Sequence, residues 1–364
     1  MTAALTPRER VSLALRELYQ RYGYRQYTVG KFEEYDLYAR NRNFLAGEHI
    51  LTFTDPNGRL MALKPDVTLS VIRNTRAEGQ TRKVWYTETV YRVPRNSDGF
   101  QEILQTGLEC IGAVDLYTMG EVLMLSARSL EALGTDYVVD VSHMGLLTGV
   151  LSAAGAPAKL TADILAAAGE KNLHTLRALC AGAGLPAETV SLLLELCSLA
   201  GPVRETLPAL LALPLPAESR AAAEELAAVC ATLSDFGSYP VRLDLSVIND
   251  TDYYNGLLFR GFVDGVARPV LSGGRYDHLL QRMGRPGRGI GFAVYLSELE
   301  RLLSETLERD ADTLLVYSPE DDPARVAAAA AALTAAGGSV RVQLRGEDGV
   351  ACGRKIAPDG SEVD

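Results

Sequence analysis

The sequence has few cysteines, and none of them is spaced for cross-linking or metal binding. Among 364 residues there are five, at positions 110, 180, 197, 230 and 352, and no two form a C-x-x-C pair. An odd number of widely separated cysteines does not predict a disulfide framework or a zinc site. The four histidines also lack metal-type spacing. We therefore predict reduced cysteines, no bound metal and no catalytic histidine.

The sequence also lacks the apolar run of a membrane span and an excess of positive charge. No segment approaches about 18 consecutive apolar residues, and the opening MTAALTPRER has no apolar signal-peptide stretch. Lys and Arg total 36 against 46 Asp and Glu, a net charge of −10. We expect a cytoplasmic protein without membrane contact, and the acidic balance weighs against nucleic acid as its main partner.

Glycine-rich nucleotide loops are absent as well. Neither G-x-G-x-x-G nor G-x-x-x-x-G-K-[ST] occurs in the chain. Gly273, Gly274, Gly289 and Gly291 are therefore interpreted as turn glycines, and no cofactor is predicted.

The patterns that are present predict an α+β chain. Thr6-Pro7-Arg8-Glu9 is a capping box that begins an amphipathic helix. Residues 84–93 and 103–111 are rich in β-branched and aromatic types and are expected to pair as strands. Residues 241–247 predict a further strand of an antiparallel sheet, and the turn Asp264-Gly265 predicts a hairpin. Residues 67–77 are predicted to be helical.

Two segments differ from this sheet-forming pattern. Residues 145–235 are rich in Ala and Leu and are broken by Gly-Pro and Pro-x-Pro sequences, which predicts a helical insertion. The stretch from about 310 to 364 reads as a small β-α-β unit. We expect a core over residues 1–308 and a short C-terminal remnant over 309–364.

One predicted strand carries polar side chains on a single face. Period-2 alternation places Gln105, Gly107 and Glu109 together, with Leu108 and Cys110 on the opposite face. A glycine between a Gln and a Glu leaves room for a polar ligand. The alternative interpretation is the exposed polar face of an edge strand, and the local sequence alone favours that alternative.

The order of six motifs resembles the class II histidyl-tRNA synthetases. The motifs are LKPDVT (63–68), VYR (90–92), QTGLE (105–109), DYYNG (252–256), GGRYD (273–277) and GIGFA (289–293). The resemblance covers residues 1 to about 305, and within that superfamily the chain most resembles the ATP phosphoribosyltransferase regulatory subunits. It implies a class II synthetase-like antiparallel sheet flanked by helices, with the helical insertion and the small C-terminal α/β unit.

The resemblance also implies a histidine pocket, since a small polar ligand is selected by satisfying each of its hydrogen bonds. It would place Asp66, Thr68, Gln105 and Glu109 at the amino group and Arg92 at the carboxylate. The ring would be held by three tyrosines, Tyr253, Tyr254 and Tyr276. Simpler interpretations remain for single residues: Asp66 and Thr68 as helix caps, Arg92 as an ion-pair partner of Glu88, and at least one tyrosine as a core aromatic.

Residues that the synthetases use on ATP are replaced. Synthetases of this family have R-G-L where this chain has Asn249-Asp250-Thr251, and G-L-E-R where it has Tyr295-Leu296-Ser297-Glu298. A carboxylate at the position of an ATP-holding arginine repels a triphosphate. The segment after residue 308 is also too short for an anticodon-binding domain.

The resemblance therefore implies a regulatory subunit without catalytic residues. Such a chain would form a homodimer inside a hetero-oligomer with a short-form ATP phosphoribosyltransferase catalytic subunit. It would carry feedback inhibition by L-histidine in the first step of histidine biosynthesis, and tRNA is not expected as a partner. The alternatives are a divergent histidyl-tRNA synthetase, a histidine-activating ligase or a free-standing histidine sensor.

Overall fold

The computed structural model describes residues 5–40, 48–75, 81–94, 99–248, 254–299, 302, 309–347 and 349–363. The chain separates into two compact units, Met1–Leu303 and Ser304–Asp364. Within the described ranges, no helix is long and apolar enough to cross a membrane. All five cysteines are free thiols.

The first unit alternates short and long strands with helices. Its strands are β1 (Arg25–Gln26), β2 (Phe32–Glu34), β3 (Glu48–His49), β4 (Thr52–Thr54), β5 (Leu60–Leu63), β6 (Arg82–Pro94), β7 (Gln101–Gly112), β8 (Tyr137–His143), β9 (Ala200–Pro202), β10 (Val241–Asp244), β11 (Leu257–Val263), β12 (Leu271–Arg275) and β13 (Arg288–Tyr295). Its helices are α1 (Pro7–Arg21), α2 (Tyr35–Ala39), α3 (Thr68–Arg73), α4 (Leu116–Glu131), α5 (Met144–Ala153), α6 (Ala158–Gly169), α7 (Leu173–Gly182), α8 (Ala187–Ser198), α9 (Val203–Ala212), α10 (Ala217–Phe236) and α11 (Asp277–Arg282).

One large sheet organises this unit. Its described strands follow the order β1-β6-β7-β13-β12-β11-β8-β10-β9, and β3 pairs with β6. The central strands are antiparallel, whereas β1 runs parallel to β6 and β10 runs parallel to β8. The prediction of a mainly antiparallel sheet flanked by helices is confirmed. The predicted strand at 241–247 is shorter than expected, because it ends at Asp244 where the chain turns.

The two faces of the sheet differ in polarity, as the alternation predicts. One face carries Leu108, Phe259 and Phe292 and packs into the main hydrophobic core. The rings of Phe259 and Phe292 lie 6.2 Å apart, centroid to centroid. The opposite face carries Gln105 and Glu109, and we call it the pocket face. Consecutive side chains of a strand lie on opposite faces. Burial of the apolar set in the core therefore decides which residues lie on the pocket face.

Helix α1 covers one edge of the core, and its start follows the predicted capping box. The Thr6 side chain accepts a hydrogen bond from the Glu9 amide, and the Glu9 carboxylate accepts one from the Thr6 amide. Pro7 occupies the first helical turn, where its missing N–H costs nothing. Residues 144–236 form helices α5 to α10, interrupted by the short strand β9.

A small three-stranded sheet precedes helix α3. Strands β4 and β5 form the predicted hairpin, and β2 pairs with the other edge of β5. The Asp55 carboxylate closes the hairpin turn by accepting from the Asn57 and Arg59 amides at 2.8 Å. Helix α3 is shorter than the predicted 67–77; it ends at Arg73, and residues 76–80 lie outside the described residues.

The prediction that four glycines lie in turns is wrong at all four positions. Gly273 and Gly274 lie inside β12, and Gly289 and Gly291 lie inside β13. Glycine is unfavourable in strands unless another group approaches the backbone closely. Their surroundings, described below, supply that approach.

The second unit is the predicted small α/β fold. Its elements are β14 (Ala311–Tyr317), α12 (Pro323–Ala335), β15 (Val340–Leu344) and β16 (Cys352–Ile356). Strand β14 lies in the centre and runs parallel to both neighbours. Its small core contains Leu315, Val326 and Ile356.

Candidate functional site

A buried carboxylate lies at the centre of the pocket face. Glu109 on β7 is only 2% exposed. Thr68 Oγ1, at the start of α3, donates a hydrogen bond to Glu109 Oε1 at 2.6 Å, and the Tyr276 hydroxyl donates to Oε2 at 2.5 Å. Three of the predicted site residues, distant in sequence, therefore meet at one group.

The environment of Glu109 changes its protonation. Burial raises the pKa of Glu109 to about 8, and the Thr68 and Tyr276 hydroxyls only partly oppose this effect. Near neutral pH the carboxyl therefore binds a proton easily and gives it up when a cation arrives. A ligand ammonium would be such a cation.

Asp66 lies near the Glu109 carboxylate, and Arg92 lies near Asp66. Asp66 is buried, and its Oδ1 accepts from the Leu69 amide at 2.8 Å. The cap interpretation of Asp66 is therefore correct for that oxygen. Burial raises the pKa of Asp66, opposed by the Leu69 hydrogen bond and by the Arg92 guanidinium. Arg92 Nε donates to the Pro65 carbonyl at 3.0 Å, which holds the guanidinium beside the loop that carries Asp66.

Glu88, which the sequence suggested as an ion-pair partner of Arg92, is paired with Lys64 instead. Glu88 lies 2.5 Å from the buried ammonium of Lys64, and its second oxygen accepts from the Val29 amide at 3.2 Å. Sequence reasoning did not single out Lys64. Gln105 lies directly opposite Glu88 on β7, buried on the same face. Glu88 and Lys64 therefore form an ion pair, and Glu88 is the cross-strand neighbour of Gln105.

The three tyrosines differ in what the structure shows. Tyr276 is buried with its hydroxyl on Glu109, and Tyr254 is half-buried. Tyr253 lies outside the described residues. Tyr86, which the sequence did not single out, is buried on the pocket face opposite Gly107.

Strand glycines make room for these side chains. A Cβ at Gly291 would overlap with Glu109 Oε2, and one at Gly289 would overlap with the Tyr276 ring. A Cβ at Gly107 would overlap with the Phe292 carbonyl oxygen and would lie 2.7 Å from the Tyr86 hydroxyl oxygen. At Gly274 a Cβ would lie 2.8 Å from Tyr254 Cδ1. We call these four strand glycines the glycine floor. The alternating glycines of β13 were its sequence signal, because a glycine within a strand marks a close approach of another group.

A second network, which sequence reasoning missed, involves the two chain neighbours of Tyr276. Its neighbour Arg275 lies 2.7 Å from Asp277 and 3.0 Å from Glu225 of α10. His143 Nε2 lies 3.0 Å from Glu225, while His143 Nδ1 accepts from the Gly145 amide. The His143 hydrogen bond and the Arg275 charge hold the pKa of Glu225 at about 2. His143 thus has a structural contact at the start of α5.

Another buried acid, Glu33, lies behind helix α3. It accepts from Ser70 Oγ at 2.6 Å, pairs with Arg73 at 2.5 Å and is bonded to the Tyr38 hydroxyl. With three partners, Glu33 is a structural acid that fixes α3, the helix that carries Thr68.

The predicted replacements on the ATP side are described only in part. Asn249 lies outside the described residues. Glu298 lies half-buried in a 3₁₀ turn, Leu296–Leu299, directly after β13. Ser297 Oγ accepts from the Leu104 amide at 2.9 Å, which ties this turn to β7. Among the described residues, no cluster of three or more His, Cys, Asp or Glu is arranged for a metal ion.

Comparison with known proteins identifies the family. The family model for histidyl-tRNA synthetase matches residues 3–299. The ATP phosphoribosyltransferase regulatory subunit of Thermus thermophilus is 33% identical over 350 residues, covering 94% of this chain and 89% of the relative. A family match over most of the chain, together with this identity, establishes common descent.

Solved structures share the fold. An ATP phosphoribosyltransferase regulatory subunit/histidyl-tRNA synthetase from Bacillus halodurans superimposes with a TM-score of 0.82 at 24% identity, covering 96% of this chain and 93% of that one. The ATP phosphoribosyl transferase (HisG:HisZ) complex from Thermotoga maritima gives a TM-score of 0.61 at 21% identity, covering 78% and 96%. By its sequence and its fold, the chain belongs to the ATP phosphoribosyltransferase regulatory subunit family, a branch of the histidyl-tRNA synthetase-like proteins.

Proposed function

We propose that this chain assembles with a separate short-form ATP phosphoribosyltransferase catalytic subunit and makes that enzyme sensitive to L-histidine. The observation that carries the proposal is the buried Glu109, held by Thr68 and Tyr276 on a glycine floor. A buried acid with this geometry suits a ligand that brings a positive charge and hydrogen-bond donors. The relatives bear the name of regulatory subunits, and a fold neighbour is a two-component complex.

In this proposal the predicted residues contact different parts of the histidine molecule. Asp66, Thr68, Gln105 and Glu109 face the amino group, and Arg92 faces the carboxylate. Tyr254 and Tyr276 face the imidazole, together with Tyr253. A histidine that binds one state of the complex more tightly than the other inhibits it, and a coupling of about 1–3 kcal/mol is enough for feedback.

We further propose that the chain forms a homodimer within the complex, binds no tRNA and makes no aminoacyl adenylate. The supporting observation is charge: Asn249 and Glu298 stand at positions where the resemblance to the synthetases implies arginine. Without those cations, charge that develops on the phosphates is not stabilised, and electrostatic stabilisation is usually the largest catalytic contribution.

The test is reconstitution with a short-form catalytic subunit. Phosphoribosyl-ATP formation is measured for the catalytic subunit alone, with this chain, and with this chain plus histidine. We expect activation by the chain and inhibition by histidine. A chain that neither activates the catalytic subunit nor co-purifies with it would contradict the proposal and favour a free-standing histidine sensor.

A matched variant separates assembly from feedback. Glu109→Gln keeps the size of the side chain but removes the titrating group, so the mixed enzyme should remain activated and lose most of its sensitivity to histidine. If Glu109→Gln leaves histidine inhibition unchanged, the effector binds elsewhere, such as at the contact between the two kinds of chain.

A further inference from the structure

A second polar group lies on the pocket face, beyond the glycine floor. Strand register places Gly107, Ala293, Ser272 and Arg260 side by side across β7, β13, β12 and β11. The neighbouring row ends at Ser142 on β8, directly opposite Leu258. Three strand spacings of about 4.8 Å separate β7 from β11, so this group lies about 14 Å from the strand that carries Glu109.

Arg260 carries a positive charge that no acid of the described residues neutralises. Its side chain is half-buried and Nη2 donates to the Ile248 carbonyl at 2.8 Å. Its cross-strand neighbour Asp140 is committed elsewhere, since both oxygens accept from Arg242, at 2.8 Å and 3.0 Å. A half-buried guanidinium that none of the described acids pairs with gains from an anion that binds beside it.

Two hydroxyl groups flank this arginine. Ser272 is directly opposite Arg260, and Ser142 lies diagonally across on β8. Ser142 is 3% exposed, and neither hydroxyl has a hydrogen-bond partner among the described residues. Ser272 is half-buried, and neither hydroxyl is committed to another described group, so both are available to a ligand.

We propose that Arg260, Ser272 and Ser142 form a binding site for a phosphate group. A guanidinium and two hydroxyls supply charge and hydrogen-bond donors, and Asp140 is already neutralised by Arg242. The separation from Glu109 exceeds the length of an amino acid, so the anion belongs to a second ligand. That ligand is inorganic phosphate or a phosphate monoester such as a nucleotide.

This inference shares its sheet face with the proposed histidine pocket and rests on the proposed function only in that respect. Histidine binding depends on Glu109, and phosphate binding depends on Arg260. Each can fail while the other holds, and separate titrations distinguish the two failures.

The test is calorimetric titration of the full chain with inorganic phosphate, with adenosine monophosphate and with histidine. We expect at least one of the two phosphate compounds to bind at millimolar concentration or below. Arg260→Gln should weaken that binding by about ten-fold or more, and Ser142→Ala should weaken it several-fold. Arg204→Gln is the matched control, because the Arg204 side chain is 84% exposed on α9 and should leave binding unchanged.

The outcomes decide both the site and its ligand. Stronger binding of the monophosphate than of inorganic phosphate indicates an esterified ligand, and the reverse indicates the free anion. Failure of both to bind the wild-type chain, or equal affinity in Arg260→Gln, overturns the proposal. Loss of histidine binding in Arg260→Gln without loss of phosphate binding also overturns it, since Arg260 then serves the amino acid. Arg260→Lys, which keeps the charge, should retain part of the phosphate affinity and checks that the fold is intact.

Discussion

Two glutamates at opposite ends of neighbouring strands show how differently the two halves of this site are built. Glu109 is buried, accepts from two hydroxyl groups and lies over a glycine that leaves room for it. Glu298 is half-buried in a turn, and within the described residues it has no hydrogen-bond or ion-pair partner. A buried acid is maintained only where neighbours or a ligand offset its desolvation, whereas a solvated acid needs no such support.

The difference suggests which half of the site the fold preserves. Around Glu109, helix α3 and the residue before α11 each place one hydroxyl group on the carboxylate that β7 carries. Around Glu298, the described contact is the Ser297 hydroxyl with the Leu104 amide, and that contact fixes the backbone rather than a ligand. We interpret the surroundings of Glu109 as a ligand-binding site and those of Glu298 as a region that no longer takes part in nucleotide chemistry.

Removing both buried acids should have the largest effect. Asp66→Ala with Glu109→Ala removes two charged partners, and we expect histidine affinity to fall about a thousand-fold, equivalent to about 4 kcal/mol. Calorimetric titration measures the change, with circular dichroism to check folding. Glu298→Ala is the control and should bind as the wild type does. Unchanged affinity in the double variant would remove histidine from this pocket.

The protonation of Glu109 should appear in the stability of the ligand-free chain. Its pKa is about 8 in the folded chain against an ordinary 4.5, so the unfolded chain loses the proton first as pH rises. The wild-type free energy of unfolding should therefore fall between pH 5 and pH 7.5 by roughly 2–3 kcal/mol relative to Glu109→Gln. Urea unfolding at the two pH values measures this difference. A difference that does not depend on pH would mean that Glu109 is ionised throughout.

Crowding the glycine floor should weaken the site by less. Gly291→Ala places a methyl group against the Glu109 carboxylate and the Leu108 carbonyl, and we expect a loss of about 2–3 kcal/mol in stability together with weaker histidine binding. Gly182→Ala is the matched control, because a Cβ there meets nothing within 4 Å and should be neutral or stabilising. Equal behaviour of the two variants in thermal unfolding and histidine titration would refute the role given to the floor.

The smallest effect is expected at Glu298. Glu298→Gln removes a charge without a described partner, so the free energy of unfolding should change by no more than about 0.5 kcal/mol. Histidine affinity should also stay the same. A clear loss of affinity, seen by titration, would show that Glu298 touches the ligand and would break the comparison between the two acids.

Much of this site is visible in the sequence because its motifs are local. Gln105, Gly107 and Glu109 share a face through simple alternation, and the resemblance named Thr68 and Tyr276 as their companions. Thr68 Oγ1 lies 2.6 Å from Glu109 Oε1, although the two residues are 41 positions apart in the sequence. Only the order of the motifs, not any local pattern, predicts that meeting.

The residues that were missed depend on contacts between elements that are distant in sequence. Lys64, which follows β5, reaches Glu88 of β6 through its side chain, and Arg260 lies beside Ser272 through strand pairing. Neither contact leaves a local signal, since a single lysine or arginine is ordinary in or near a strand. Gly289 and Gly291 were misinterpreted as turn residues because glycine is more common in turns, although their spacing of two is the strand period.

The most direct test of the central claim is histidine-dependent exchange of pyrophosphate into ATP, measured on a preparation that is shown to bind histidine. A chain that keeps the amino-acid half and has lost the nucleotide chemistry binds histidine and gives no exchange above the level without histidine. Exchange that requires histidine and disappears in Glu109→Gln would show that an adenylate forms in this pocket. The chain would then be an active histidine-activating enzyme, and the regulatory account would be wrong.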